Sequence, residues 1–371
     1  MSQSPPGAQG RLQRGLVIAR VAGIPVSIGP SWLLLAVVLV VIVVQANPGL
    51  GATAYGLGAA YALGLLVAVL VHEAAHATAA RSFGIVVHRI VADLWGGHTA
   101  FDGRLTTPGR SAVIAVSGPA ANLVLALVGY MAASGTVPGT VSSAVLGGFV
   151  WVNLLLAVFN LLPGLPLDGG QLVDALVWRL TGRRDAGLVA GGWSGRVVVV
   201  LFAAWALLLP IARGQVPDSV TVIWTVVIGM FMWSGASTAI QVGRARRIIS
   251  AVRVREVIVP AVLVDPTATI GSLRGITAVP VARDENGHPT LVTSRVDPAQ
   301  LPPPDTAVTA VMVRIPPDCV VESDPDDDVT GLITAIQTTG TAVAVVTKDG
   351  MAYGVATADA INARLEAVTG S

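Results

Sequence analysis

The sequence predicts a polytopic α-helical membrane protein with six transmembrane helices, a small membrane-surface β-sheet and a C-terminal α/β domain. Three observations carry that prediction. Of the 371 residues, 53% are apolar and only 12% charged, and the mean hydropathy is +0.72; soluble domains carry about twice that charged share. The charges avoid whole stretches: none of Asp, Glu, Lys, Arg or His occurs in residues 27–71, 111–167, 197–212 or 219–243. Most of the Asp and Glu lies instead in residues 248–371.

This composition excludes a cytosolic globule and a disordered chain. A net charge of +1 gives no sign of a nucleic-acid partner. Cys319 is the only cysteine, which excludes an intrachain disulfide and a cysteine-based metal site. Basic residues are nearly all arginine, with Lys348 the sole lysine. We read that bias as the mark of a GC-rich bacterial genome.

A span needs about 20 mostly apolar residues. The first two charge-free stretches are long enough for two spans each, divided at Asn47-Pro48-Gly49 and at residues 135–139. The expected spans are roughly 28–46, 55–82, 112–134, 143–162, 196–212 and 219–241. Six spans put both termini on one side. That side receives Arg11, Arg14 and Arg20, then Arg81, Arg89, Arg104 and Arg110, then Arg179, Arg183, Arg184 and Arg196, then Arg244, Arg246 and Arg247. The opposite loops receive only Arg213. Arginine marks the cytoplasmic side, so both ends are expected there, in a bacterial cell membrane. The first span has no small-residue cleavage site soon after it and reads as retained.

The expected organisation is a cytoplasmic segment 1–26 with short strands, a membrane domain 27–247 and a cytoplasmic domain 248–371. Residues 16–27 and 85–101 read as strands flanking spans, the latter with a Gly96-Gly97 turn, and together suggest a sheet at the membrane surface. The last domain reads as short β-rich runs with an internal repeat. Thr277-Ala278-Val279-Pro280-Val281 recurs as Thr341-Ala342-Val343-Ala344-Val345, and Leu291-Val292-Thr293 as Val355-Ala356-Thr357, at one spacing. Two copies of one small α/β unit are the simplest reading.

The second span carries His72-Glu73-Ala74-Ala75-His76. Positions i and i+4 share a helix face, so both imidazoles can reach one ion, and the intervening Glu73 can activate water beside it. Ionisable groups are costly in hydrocarbon and mark function there. Arg81 follows His76 by five residues, which places the motif inside the membrane near its cytoplasmic edge. A helix end lying in the headgroup region is the competing structural explanation.

A catalytic zinc usually takes three protein ligands and one open position. The candidate for the third is Asp168, the first charged residue after Arg110, at the cytoplasmic end of the fourth span behind two helix-breaking prolines. An exposed helix-terminating Asp-Gly turn competes, but the depth of Asp168 matches that of the histidines. His98 beside Gly96-Gly97, His88, Asp93 and Asp102 are weaker candidates, expected to be solvated or structural, and Asp174 is expected to be cytoplasmic. In the third span, Gly118 and Ala121 suit close helix packing. Asn122 is a buried amide that must find partners; it either meets a substrate carbonyl or developing oxyanion, or makes a structural hydrogen bond.

Together, His72-Glu73-Ala74-Ala75-His76, Gly118-Pro119-Ala120-Ala121-Asn122 and the run Asn160-Leu161-Leu162-Pro163-Gly164-Leu165-Pro166-Leu167-Asp168-Gly169-Gly170 resemble the site-2 protease family of intramembrane zinc metalloproteases. The three motifs cover the second to fourth spans in the family's order. The six-span layout and the early Gly23-Ile24-Pro25-Val26 stretch look like one branch of it, whose C-terminal domain is a tandem pair of cystathionine-beta-synthase (CBS) modules. No PDZ insertion is seen between spans. The resemblance implies one zinc ion held by His72, His76 and Asp168, with Glu73 as catalytic acid and base. It implies a substrate that is a transmembrane segment of another membrane protein, such as an anti-sigma factor, cut near the cytoplasmic face.

The CBS signature is irregular. In Gly354-Val355-Ala356-Thr357 the following acid is Asp359, one residue early; Ser294 and Asp297 keep the spacing but lack the glycine. A structural or homodimerising pair is thus preferred over one that binds a nucleotide. Two rivals remain at this stage: an ion transporter or channel regulated by the CBS-like domain, and a catalytically dead scaffold, against which the intact Glu73 argues.

Overall fold

A computed structural model describes residues 16–21, 23–93, 96–101, 106–273, 275–293 and 302–369. Arg11, Arg14, Asp102, Arg104, Ser294 and Asp297 lie outside them. The chain divides after Gly243 into two units.

The first unit begins with strands β1 (Leu16–Val21) and β2 (Ile24–Ile28), then helices α1 (Pro30–Ala46) and α2 (Ala52–Ser82). Strands β3 (Val87–Asp93) and β4 (Gly96–Phe101) follow. Helices α3 (Pro108–Ala133), α4 (Val141–Asn160), α5 (Asp168–Thr181) and α6 (Arg184–Ala203) come next. A π-helical stretch, Ala204–Leu208, joins α6 to the short α7 (Leu209–Ala212), and α8 (Ser219–Ala251) closes the series.

Among the described residues, five helices are long and apolar enough to cross a membrane: Ala52–Ser82, Pro108–Ala133, Val141–Asn160, Arg184–Ala212 and Ser219–Ala251. The unit is a helical membrane domain. Helix α1 has 17 residues, most of them apolar, about 25 Å of rise, the short limit for a span.

Local chemistry sets the boundaries. Thr107 caps α3 by accepting from Arg110 N at 3.4 Å, with Pro108 pre-set in the first turn. Thr140 caps α4 through Ser143 N at 3.3 Å. Gly182, at φ 71°, ends α5 in the left-handed conformation that glycine adopts freely.

Two elements depart from expectation. Helix α5 was not read, because its charges hide it from a search for charge-free spans. Helix α6 starts at Arg184, not near residue 196, so Arg196 lies within it. Buried Gly187, Gly191, Gly192 and Gly195 let that polar half pack against its neighbours.

The four strands form one sheet in the order β1-β2-β3-β4. The β1/β2 and β3/β4 pairs are antiparallel and β2/β3 is parallel. Ile24, Val26 and Ile90 pack on Leu70, Ala74 and Ala77 of α2. Fully burying such an aliphatic side chain is worth about 1.5–3 kcal/mol, which fixes the sheet against the helix that carries the histidines. The expected Gly96-Gly97 turn is not there: both glycines belong to β4, opposite Asp93 and Ala92. The outer strands of the sheet are β1 and β4, whereas β3 is flanked on both sides.

In the second unit, β5 (Ile258–Val264), β6 (Val279–Ala282), β7 (Leu291–Thr293), β8 (Met312–Arg314), β9 (Val320–Glu322), β10 (Val343–Lys348) and β11 (Met351–Thr357) make one sheet. Its order is β8-β7-β6-β5-β11-β10-β9. Helices α9 (Thr330–Thr339) and α10 (Ala358–Thr369) complete the unit. The sequence repeat is visible in the topology. In each copy a parallel pair, β5/β6 or β9/β10, is followed by an antiparallel one, β6/β7 or β10/β11. The copies are not equal: α9 in the second corresponds only to a short 3₁₀ turn, Ile270–Leu273, in the first.

Candidate metal centre

In the membrane unit the buried groups are unusually polar. His72, Glu73, His76, Asn122, Asn153 and Asp168 are all at most 7% exposed, while Leu33, Trp151 and Leu155 point outward. Burying a polar group is tolerable only when it is partnered, so the partners of these six define the site.

Helix α2 presents His72 and His76 one turn apart, their rings 4.6 Å between centroids and nearly perpendicular. His72 Nδ1 lies 2.9 Å from Asn122 Oδ1 of α3, and His76 Nδ1 lies 2.7 Å from Ile114 O. Both partners are acceptors, so both Nδ1 atoms carry the proton. In the neutral rings each Nε2 therefore presents a lone pair. The two Nε2 atoms are 3.0 Å apart, and Asp168 Oδ2 lies 3.1 Å from one and 3.4 Å from the other. Three electron-rich atoms thus converge without a hydrogen between them. That donor set calls for a cation, and two imidazoles with one carboxylate suit zinc.

Gly118 supplies the space. A Cβ there would sit 2.5 Å from His76 Nε2 and 2.6 Å from His72 Nε2, where the lone pairs meet. The sequence suggested only a packing role for this glycine. Its hydrogen faces the point at which the ligand atoms converge.

Asp168 is the first residue of α5, where the helix N-terminus favours a carboxylate. Gln171, one turn on, points its Nε2 at Asp168 Oδ1 from 3.4 Å. Gly169 and Gly170 let the preceding loop fold back tightly: a Cβ on Gly169 would meet Leu161 C at 2.6 Å, and one on Gly170 would meet Gly164 O at 2.6 Å. The Asp-Gly-Gly run therefore delivers the carboxylate to the histidines.

Glu73 stands beside this cluster. Its carboxylate accepts from Thr99 Oγ1 of β4 at 2.7 Å. A Cβ on Gly97 would lie 2.6 Å from Glu73 Oε1, so β4 needs glycine where it crosses the carboxylate. A cavity of about 530 Å³ opens onto His72, Glu73, His76 and Asp168, walled also by Asp93, Asn160, Gln171 and Phe231.

Of the sequence candidates, His72, Glu73, His76 and Asp168 come together. Of the two alternatives for Asn122, the hydrogen-bonded one is what the geometry displays. Asn122 is fully buried, accepts from His72 and donates to Asn153 Oδ1 at 3.2 Å, so both ends of its amide are engaged behind the histidine. Asp93 lines the cavity and does not simply face water. Asp174, expected in the cytoplasm, is only 5% exposed, with its carbonyl 2.5 Å from where a Cβ on Gly187 would lie. The backbone of His98 pairs with Val91 in the sheet.

Sequence reasoning missed Thr99, Gly97, Gln171 and Asn153. Gln171 could have been found from its i+3 spacing to Asp168, and Asn153 as a lone amide within a charge-free span. Nothing local marks Thr99 or Gly97.

Residues 60–145 and 131–204 match the model of peptidase family M50. The Mycobacterium tuberculosis protein Rip3, which carries a zinc metalloprotease name, is 39% identical over 184 residues, 48% of this chain and 46% of the relative. A Synechocystis protein named in the same way, sll0528, is 30% identical over 262 residues, 67% of this chain and 66% of the relative. The chain thus spans about half the length of the first relative and about two thirds of the second. The solved site-2 protease from Methanocaldococcus jannaschii aligns with 61% of this chain and 95% of its own, at 20% identity and a TM-score of 0.46.

Proposed function

We propose that this chain, which belongs to peptidase family M50, is an intramembrane zinc metalloprotease that hydrolyses a peptide bond within or near a transmembrane helix of another membrane protein. The observation that carries the proposal is the convergence of His72 Nε2, His76 Nε2 and Asp168 Oδ2 with both imidazole Nδ1 protons already committed. On this reading these three side chains hold the metal. When bound, zinc supplies Lewis acidity to a carbonyl and makes water acidic enough to ionise near neutral pH.

The chain's own residues account for the rest. Glu73 takes the proton from the attacking water and returns it to the leaving amine. Thr99 holds the Glu73 carboxylate in place. Asn122, backed by Asn153, fixes the tautomer and ring plane of His72, and Ile114 O does the same for His76. Asn122 is therefore a positioning residue. The substrate helix must unwind before its carbonyls are available. The outer edge of β4, whose Thr99 and Gly97 lie against Glu73, suits the extended segment by strand addition. A proline test of that idea belongs in β4, since proline in β3 would break an internal strand.

Six spans with both termini cytoplasmic complete the reading, α1 serving as the sixth. The C-terminal unit acts as a regulatory tandem CBS-like domain, with its repeated strand pattern as support. Thr357 Oγ1 caps α10 by accepting from Ala360 N at 3.2 Å, so the threonine of the irregular signature has a structural task. This favours a structural or dimerising pair over one that holds a nucleotide. A transporter has no need of two imidazoles locked to present lone pairs at one point.

The test is cleavage of single-span membrane substrates, an anti-sigma factor among them, by wild type and by Glu73→Gln in detergent with zinc. The proposal expects cleavage by wild type alone, with the variant retaining its metal. Equal cleavage by both proteins would overturn the role of Glu73.

A further inference from the structure

Arg196 is the one charged residue between Asp185 and Arg213. The run from 197 to 212 that follows it is free of charge, about 24 Å of helix. That length approaches the roughly 30 Å of bilayer hydrocarbon. Arg196 and Arg213 thus mark opposite rims of one membrane crossing.

The surroundings of Arg196 are specific. Its guanidinium lies 4.8 Å from the ring centroid of Trp193 on α6 and 4.8 Å from that of Trp233 on α8. Nη2 donates to Ser237 Oγ at 3.1 Å, and that hydroxyl donates onward to Trp233 O at 2.7 Å. Both indoles are open to the outside, Trp193 at 49% and Trp233 at 44% exposure. Arg196 forms no ion pair among the described residues, and its shielded Nε has no hydrogen-bond acceptor. Both indole rings lie against the cation, and Nη1, which meets no acceptor among the described residues, is left to reach a phosphate oxygen.

A cation at the membrane rim with no carboxylate beside it needs an anion from outside the protein. Tryptophan settles at headgroup depth, and an arginine between two indoles keeps its charge there while its stem stays in apolar surroundings. The same two helices grip the loop that delivers Asp168. A Cβ on Gly195 would lie 3.2 Å from Leu165 N, and one on Gly235 would lie 2.7 Å from Pro166 Cγ. We propose that Arg196, Trp193, Trp233 and Ser237 form a binding site for the phosphate of an anionic phospholipid, bridging α6 and α8 beside that loop.

The test places the purified full chain in nanodiscs of phosphatidylcholine with a minor share of phosphatidylglycerol, then counts retained lipid by native mass spectrometry. Wild type should retain phosphatidylglycerol in preference to phosphatidylcholine. Arg196→Gln should weaken that retention about tenfold. Arg196→Lys, which keeps the charge but loses the fork, should fall between them. Arg246→Gln, at an exposed arginine nine residues beyond Ser237 in the sequence, should change nothing. Ser237→Ala should weaken retention with Arg196 intact, which keeps the proposal testable should Arg196→Gln fold poorly. Equal retention by wild type and Arg196→Gln, or no preference between the two lipids, would overturn the proposal. Displacement of the lipid by millimolar inorganic phosphate would assign the cluster to a soluble anion and overturn the lipid assignment.

Discussion

The two units bury opposite things. In the first, His72, Glu73, His76, Asn122, Asn153 and Asp168 are inside while Leu34, Trp151, Leu155 and Leu201 face outward. In the second, Val252, Val254, Val281, Leu332, Val345 and Val346 are inside, and among the described residues only Thr290 and Thr347 are buried polar groups. The difference follows from the surrounding solvent. Water drives apolar side chains inward. Lipid gives them no reason to leave the surface, so helix association rests on close backbone approach and on partnered polar groups. The first unit accordingly places glycine where helices or ligands meet, at positions 118, 164, 187, 191 and 195. The second relies on aliphatic packing. A site of six ionisable or amide side chains is affordable only where each is paired.

Substitutions can break or sharpen this contrast. Gly118→Ala should act most strongly, abolishing metal binding, because the added Cβ would lie 2.5 Å from His76 Nε2; metal analysis of the purified protein reads this directly. The same change at Gly331 of α9, where a Cβ would meet Val321 Cγ1 at 3.4 Å, should shift stability by no more than about 1 kcal/mol.

Leu332→Ala should cost the second unit about 2–5 kcal/mol by opening a cavity, seen as a lower denaturant midpoint with metal content unchanged. Asn122→Ala should weaken metal affinity by roughly 10–100-fold through loss of the His72 partner, measured by competition with a chelator. Unchanged affinity would return Asn122 to the substrate-binding role.

The smallest effect is expected at Arg364, which donates to Glu256 Oε2 at 2.6 Å from a largely exposed position. The arginine holds the Glu256 carboxyl below its ordinary value. Its contribution is present above the unfolded carboxylate pKa and disappears as pH falls through the lowered one. Arg364→Gln should therefore change stability by less than about 1 kcal/mol near neutral pH, and by less still in acid, as read by denaturation at both pH values.

Much of this was legible in the sequence for one reason: charge is so expensive in hydrocarbon that its absence outlines helices and its presence outlines the site. His72, Glu73, His76 and Asp168 stand out on that ground. The same logic missed α5 and the first half of α6, since both carry charges at the membrane rim. It left Asn122 between substrate and a structural hydrogen bond, because which way a buried amide points depends on α4, where Asn153 lies. Thr99 reaches Glu73 across 26 residues, a contact set by sheet register and not by local pattern. Gly96-Gly97 resembled a turn because glycine also serves where a strand must pass close to another group.

His72 Nε2, His76 Nε2 and Asp168 Oδ2 converge on a point that suits a metal, so zinc content per chain in purified wild type, Glu73→Gln and Asp168→Ala is the decisive quantity. About one zinc ion per chain is expected in the first two and almost none in Asp168→Ala. Wild type without zinc when purified in its presence, or Asp168→Ala with its full complement, would contradict a metal held there.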